Sequence, residues 1–157
     1  LTFIDLGFEI EVLDIASCDR ETAQAKIFQS KILYISGGNT FYLLQELKKK
    51  QLLSLIKEQI RDGLIYVGES AGAIITAKDV DYNKLMDDKT VAKELSDTTG
   101  LNEVEFYILP HYGEEPFTDS SKKTFETYKN QLDLMRMNNS QAVIVNDKEI
   151  KVVSEQD

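Results

Sequence analysis

Apolar and polar positions fall into two periods along the chain. Phe8-Glu9-Ile10-Glu11-Val12-Leu13 alternates apolar and acidic residues before becoming continuously apolar, which predicts a strand. Lys31-Ile32-Leu33-Tyr34-Ile35 and Leu64-Ile65-Tyr66-Val67 are short apolar runs that lead into glycine, and Val104 to Leu109 is a similar run. Runs of this length fit parallel strands covered on both faces. Between them the period lengthens. Arg20 to Gln29 is rich in helix formers, Thr40 to Lys50 follows Asn39 as a candidate N-cap, and Leu52, Ile56 and Ile60 recur at i, i+4. Phe125, Tyr128, Leu132 and Met135, three and four apart, predict a core stripe on a later helix. Gln141 to Val145 and Glu149 to Val153 flank Asn146-Asp147-Lys148, a closing hairpin with a polar turn. Periodicity fades between Lys78 and Gly100, which predicts a long surface excursion, a kind of loop that is often functional. Strand and helix alternate, so the fold class is α/β with a mainly parallel sheet.

The size and charge of the chain narrow what such a fold can do. With 157 residues there is enough chain for one core, so a single domain is expected. A formal net charge of −9 disfavours nucleic acid and anionic membrane as partners, because both require concentrated basic surface. Cys18 is the only cysteine, so no intramolecular disulfide framework can form and a reducing cytoplasm is the expected location. Cys18 itself reads as a small, half-buried residue. No run approaches the length needed to span a bilayer, and no basic segment leads into an apolar signal core. Leu1 to Leu6 has the pattern of part of an amphipathic helix.

Candidate chemistry begins at Gly68-Glu69-Ser70-Ala71-Gly72-Ala73, a G-x-S-x-G sequence between an apolar strand and an expected helix. That is the setting of a nucleophile elbow, where small flanking residues let strand and helix approach around a strained serine. The backbone N–H of Ala71 could then stabilise an oxyanion. A nucleophilic serine needs a base, and His111 is the only histidine; it lies just past strand 104–109, at the sheet edge where ligands bind in parallel α/β folds. The orienting carboxylate is left open among Asp79, Asp81, Asp87, Asp88, Glu114 and Glu115. Ser36-Gly37-Gly38-Asn39-Thr40 also follows a strand and opens a helix. It lacks both dinucleotide and P-loop patterns, so a second oxyanion donor, the Gly38 N–H, fits better than a nucleotide phosphate. Asp79-Val80-Asp81-Tyr82-Asn83 imitates a calcium loop, but Lys84 replaces its glycine and Thr90 its final glutamate. One histidine and one cysteine imply no zinc or iron site, and no cofactor is expected. Asn138-Asn139-Ser140 matches a glycosylation sequon, which is incidental without a secretion signal.

Together, Ser36-Gly37-Gly38-Asn39-Thr40-Phe41, the 68–73 elbow and Leu109-Pro110-His111 resemble the peptidase E (aspartyl dipeptidase) family, which includes cyanophycinases. The resemblance spans about residues 1 to 155 and implies a three-layer sandwich, flavodoxin-like or class I glutamine amidotransferase-like. It also implies a first strand and helix ahead of Leu1. By this resemblance Ser70 attacks a carbonyl, His111 carries the proton, and Gly38 and Ala71 supply oxyanion amides. Of two acid assignments in the family, one places an aspartate between serine and histidine, where Asp88, with Asp87 as alternate, lies closest. The other places a carboxylate after the long helix, where this chain has Asn138-Asn139-Ser140. Glu69 stands where peptidase E often carries tryptophan, and none of the three arginines, Arg20, Arg61 and Arg136, lies in the motifs. The expected activity is therefore serine-type hydrolysis of a small peptide or amide, with an aspartyl dipeptide as one candidate and a homodimer as the candidate assembly. The competing expectation is a noncatalytic small-molecule binding or interaction protein on the same fold. An amidotransferase-like activity is disfavoured because Cys18 is remote from the elbow.

Overall fold

The computed structural model of the protein describes residues 3–155. Helix α1 (Arg20–Gln29) starts at Asp19, whose carboxylate accepts from the Thr22 N–H, and buries Ala23 and Ile27, four residues apart. Strand β1 (Ile32–Ile35) leads through Ser36–Asn39 into α2 (Thr40–Lys49). The expected cap is present: the Asn39 side chain accepts from the Tyr42 N–H at 3.0 Å. At the end of α2, Gln51 has φ 56, and the N–H groups of Leu52 and Gln51 return to the carbonyls of Leu47 and Lys48. That is a Schellman stop, and α3 (Leu53–Arg61) follows at once. A second such stop at Gly63 (φ 102), with Leu64 N–H on the Gln59 carbonyl, feeds the chain into β2 (Ile65–Gly68). The single-turn helix α4 (Ala71–Ile74) comes next, then β3 (Tyr107–Leu109), α5 (Thr118–Tyr128), β4 (Leu134–Arg136) and the hairpin β5 (Gln141–Asn146) with β6 (Glu149–Ser154).

β1 pairs in parallel with β2, from Ile32 opposite Ile65 to Ile35 opposite Gly68. β3 and β4 form a second parallel pair, and β5 and β6 pair in antiparallel register across an Asp147-Lys148 turn with Asp147 at φ 57. The parallel α/β character is as the sequence predicts. The main core gathers Ala23 and Ile27 from α1, Phe41, Leu44 and Leu47 from α2, Leu52 and Ile56 at α3, and Ile74, Ile75 and Leu101. A fully buried Leu or Ile contributes about 1.5–3 kcal/mol by removing apolar area from water. Phe106, Ile108 and Met137 form a smaller cluster under the β3/β4 pair.

Four expectations need correction. Residues 8–13 form no strand: among the described residues, the backbone bond made there runs from Phe8 N–H to the Phe3 carbonyl, and Val12 is 84% exposed. An alternating pattern makes a strand only where a ladder partner is present, and among the described residues β1 pairs with β2 alone. The expected helix over Leu1 to Leu6 lies partly outside the described residues, and residues 3–7 form turns. The 78–100 segment is a surface excursion only in part. It holds two 3₁₀ turns, Asp81–Leu85 and Lys89–Val91, and buries Val80, Tyr82, Asn83 and Ala92. Its two arms are joined by a bridge between Asp79 and Thr99, and the Tyr82 hydroxyl donates to the Ile108 carbonyl in β3. Polar composition hid this, because the apolar residues it buries, Val80, Tyr82 and Ala92, recur at no regular period. Finally, the 125–135 stripe is shared between two elements: α5 ends at Tyr128, Leu132 lies in the following turn, and Met135 belongs to β4.

Candidate active site

Ser70 sits between β2 and α4 with φ 48 and ψ −110, a conformation that a side-chain-bearing residue holds only when its surroundings fix it. The surroundings are tight. A Cβ on Gly68 would stand 2.5 Å from the Gly72 carbonyl oxygen, and one on Gly72 would run into the carbonyl oxygen of Ile35 in β1. Beneath the turn, the Tyr66 hydroxyl donates to the Gly72 carbonyl at 2.6 Å, and burial pushes that phenol's pKa up, so it stays a donor. The N–H groups of Ala73 and Ile74 both turn back to the Ser70 carbonyl at 2.9 Å. Among the described residues, the N–H groups of Ala71 and Gly38 donate to no backbone carbonyl. The Gly37-Gly38 turn runs beside the serine: a Cβ on Gly37 would stand 3.2 Å from Ser70 Cβ and 3.7 Å from Ser70 Oγ. The helix after the elbow is only four residues long, so local amides rather than a long helix dipole are available to an oxyanion.

His111 follows β3 and Pro110 and also has a left-handed backbone, φ 55. Strand-like bonds hold both sides of it, from the Met137 N–H to the Leu109 carbonyl (3.0 Å) and from the Tyr112 N–H to the Met137 carbonyl (2.9 Å). The ring stacks on Phe117, with centroids 5.0 Å apart and planes 21° apart. Its Nε2 is 2.9 Å from Ser70 Oγ and its Nδ1 is 2.7 Å from Asn139 Oδ1. An amide oxygen only accepts, so this contact calls for a proton on Nδ1 and leaves the Nε2 lone pair facing the serine hydroxyl. An imidazole so held can take the Ser70 proton, which is the arrangement a nucleophilic serine needs.

Asp88 does not join them. Its carboxylate caps the 3₁₀ turn Lys89–Val91, accepting from the Thr90 hydroxyl at 2.7 Å and the Thr90 N–H at 2.9 Å, and these bonds hold it below the usual carboxylate range. Asp87 is turned toward α2, where one oxygen accepts from the Thr40 N–H and from Asn83 Nδ2. Asp81 pairs with Lys84 and Lys89, Asp79 accepts from Thr98 and the Asp81 N–H, and Glu115 accepts from Thr118. The residue at Nδ1 comes instead from the turn after β4, the Asn138-Asn139-Ser140 segment that carries no carboxylate. Sequence reasoning missed Asn139 because it sought a charge there, and missed Phe117 because no motif marks it. The place of Asn139 after the long helix was the available signal.

Beside the elbow, the Tyr34 hydroxyl donates to the Glu69 carboxylate, and that bond pushes the Tyr34 phenol up to about 12. Arg136 ends β4 in register with Leu109, its guanidinium 5.2 Å from the Tyr112 ring centre and 4.6 Å from that of Phe125. It is the one arginine carried by a strand next to the site; Arg20 and Arg61 lie on α1 and α3. No helix among the described residues is long and apolar enough to cross a membrane.

Comparison with known proteins gives the family of the chain. The profile of peptidase family S51 matches residues 1–153. An uncharacterized peptidase of Pasteurella multocida is 41% identical over 151 residues, covering 96% of this chain and 72% of the relative. A peptidase E of a Nostoc species is 31% identical over 110 residues, 70% of this chain and 42% of that protein. In three dimensions, the 1.5 Å crystal structure of a candidate peptidase E from Listeria monocytogenes EGD-e superposes with a TM-score of 0.90 at 36% identity, covering 96% of this chain and 73% of that one. The chain belongs to peptidase family S51 and is a serine peptidase-like hydrolase.

Proposed function

We propose that the protein hydrolyses a small peptide or amide through an acyl-enzyme on Ser70, with a Ser70–His111–Asn139 constellation. The observation that carries this reading is the 2.9 Å contact of Ser70 Oγ with His111 Nε2 while Nδ1 is held by Asn139. Ser70 Oγ adds to the substrate carbonyl carbon and its proton passes to Nε2. The resulting oxyanion takes hydrogen bonds from the Gly38 and Ala71 N–H groups. The C–N bond then breaks as Nε2 returns the proton to the leaving amine. Water repeats the sequence on the ester, giving its proton to Nε2 and releasing the acid as the serine recovers its own. Asn139 orients the ring as a neutral acceptor, the role an asparagine also fills in papain-like sites. Asp88 is assigned no part in these steps.

Aspartyl dipeptides are the first substrates to screen. Arg136 supports that choice as the cation on the strands flanking the site, where a substrate carboxylate would need a partner. We place the two parallel pairs within a three-layer, flavodoxin-like sandwich forming a single domain, a reading supported by the superposition on the Listeria protein. The test is reaction with a fluorophosphonate probe read by intact mass. Wild-type protein is expected to gain one adduct, and Ser70→Ala and His111→Ala to gain none while retaining the wild-type circular dichroism. A folded wild-type protein that stays unlabelled would shift the reading to a noncatalytic binding protein.

A further inference from the structure

We infer that Asp87, together with Asn83 and the Asp88 backbone carbonyl, forms a clamp that positions the oxyanion loop Gly37-Gly38 against Ser70. The proposal rests on the serine-hydrolase reading above and assigns a purpose to the 78–100 segment. One Asp87 oxygen accepts from the Thr40 N–H at 2.8 Å and from Asn83 Nδ2 at 2.9 Å. Asn83 Nδ2 also reaches Thr40 Oγ1 at 3.1 Å. A separate tether runs one residue closer to the loop, where Asn39 Nδ2 donates to the Asp88 carbonyl at 2.9 Å. Thr40, Phe41 and Asn83 are fully buried, and the Asn83 side-chain oxygen has no partner, so the cluster forgoes one bond to keep its other contacts.

These bonds fix the two residues directly after Gly38. Thr40 N–H is one of the unpaired donors at the start of α2, and Asp87 satisfies it from a segment 47 residues away. The Asn39 side chain is bound at both ends, its oxygen to the Tyr42 N–H and its nitrogen to Asp88. Gly38, at φ 130, is therefore followed by two anchored residues, and the turn it belongs to passes beside Ser70 Cβ and Oγ. An oxyanion donor contributes only when its N–H is held where charge develops, and a shift of ~1 Å can cost ~100-fold in rate. Asp87 touches none of the reacting atoms, so it is a positioning residue.

The experiment is the kinetics of fluorophosphonate labelling. In that reaction the Ser70 Oγ–P bond forms, P–F breaks with loss of fluoride, the serine proton goes to His111, and the phosphoryl oxygen occupies the oxyanion site. Asp87→Ala is expected to lower the maximal labelling rate by ~10-fold or more while the half-saturating probe concentration changes less than ~3-fold. Asp87→Asn keeps an oxygen able to accept both bonds and is expected to restore the rate to within ~3-fold of wild type. Should Asp87→Ala fail to fold, Asn39→Ser tests the second tether: serine keeps the helix cap but cannot reach Asp88, and the same selective loss of maximal rate is expected. A folded Asp87→Ala or Asn39→Ser protein labelling at the wild-type rate would overturn the clamp, as would an Asp87→Asn protein as slow as Asp87→Ala. Absence of labelling in the wild type, or labelling that persists in Ser70→Ala, would instead strike at the hydrolase reading itself.

Discussion

Two residues with left-handed backbones, Ser70 and His111, meet across the site, and neither is a glycine. Such angles cost of order 1–3 kcal/mol each and persist only where neighbours over-determine them. For Ser70 the neighbours are Gly68 and Gly72, which have no room for a side chain; for His111 they are the Met137 bonds and the Phe117 ring. The Asn139 amide against His111 Nδ1 is the next point to probe. Asn139→Ala removes the acceptor on Nδ1, so the imidazole is free to rotate and to change tautomer. The labelling rate is expected to fall ~10-fold or more with the fold unchanged, whereas Asn139→Asp, which keeps an acceptor, is expected to retain labelling. A rate unaffected by Asn139→Ala would remove Asn139 from the mechanism. The serine and the histidine were legible in the sequence from an elbow motif and from there being one histidine. The orienting residue was not, because hydrogen-bond partnership depends on which turn folds against the ring.

Among elements, the elbow between β2 and α4 is the most constrained. Gly72→Ala would drive a methyl group into the Ile35 carbonyl, separating β1 from the elbow; a loss of ~1–3 kcal/mol or more is expected, read as a lower urea midpoint together with lost labelling. An unchanged midpoint would mean that the strands can part at little cost. The 78–100 segment carries a charge-dependent element of stability. Lys84 and Lys89 hold Asp81 below the usual carboxylate range, so the native state releases that proton more readily than the unfolded chain does. Its stabilisation is complete above the unfolded value near ~3.9 and is lost as pH falls through the lower folded value. Asp81→Asn is therefore expected to lower Tm at pH 7, with the difference from wild type shrinking as pH is taken from neutral to below ~4. A difference that stayed constant across that range would rule out the ion pairs as its cause.

Over the whole molecule, packing is uneven. Phe41, Leu44, Leu52 and Ile56 are completely buried in the main core, whereas Ile144, Val145, Ile150 and Val152 of the hairpin are each at least 40% exposed. Leu44→Ala is expected to cost ~2–5 kcal/mol in urea unfolding, since α2 packs the cavity site from one side and the rest of the core cannot fully collapse into it. Hydrogen exchange is expected to protect α2 amides to the level of global unfolding, while β5 and β6 amides exchange through local opening. Equal protection in both would show that the hairpin is integral to the core. Because Asn139 lies two residues before β5, hairpin opening and loss of the Nδ1 contact are expected to be coupled.

The sequence by itself determined the local devices: Asn39 as a helix cap, the i, i+4 stripe of α3, a closing hairpin with a polar turn, and a serine between small residues at the end of a strand. Each depends on neighbours within a few positions, so spacing and residue type were enough. Only the tertiary structure decided the rest. It packed Val80, Tyr82, Asn83 and Ala92 of the polar 78–100 segment inward, left the alternating 8–13 segment outside the ladder, turned Asp87 and Asp88 away from the histidine and brought Asn139 to it. The Asp87 and Asn139 contacts join residues 47 and 28 positions apart, beyond the reach of spacing, and Asp88 is taken up by Thr90 two residues on, so each carboxylate goes to a nearby unpaired N–H rather than to the group a motif would assign it.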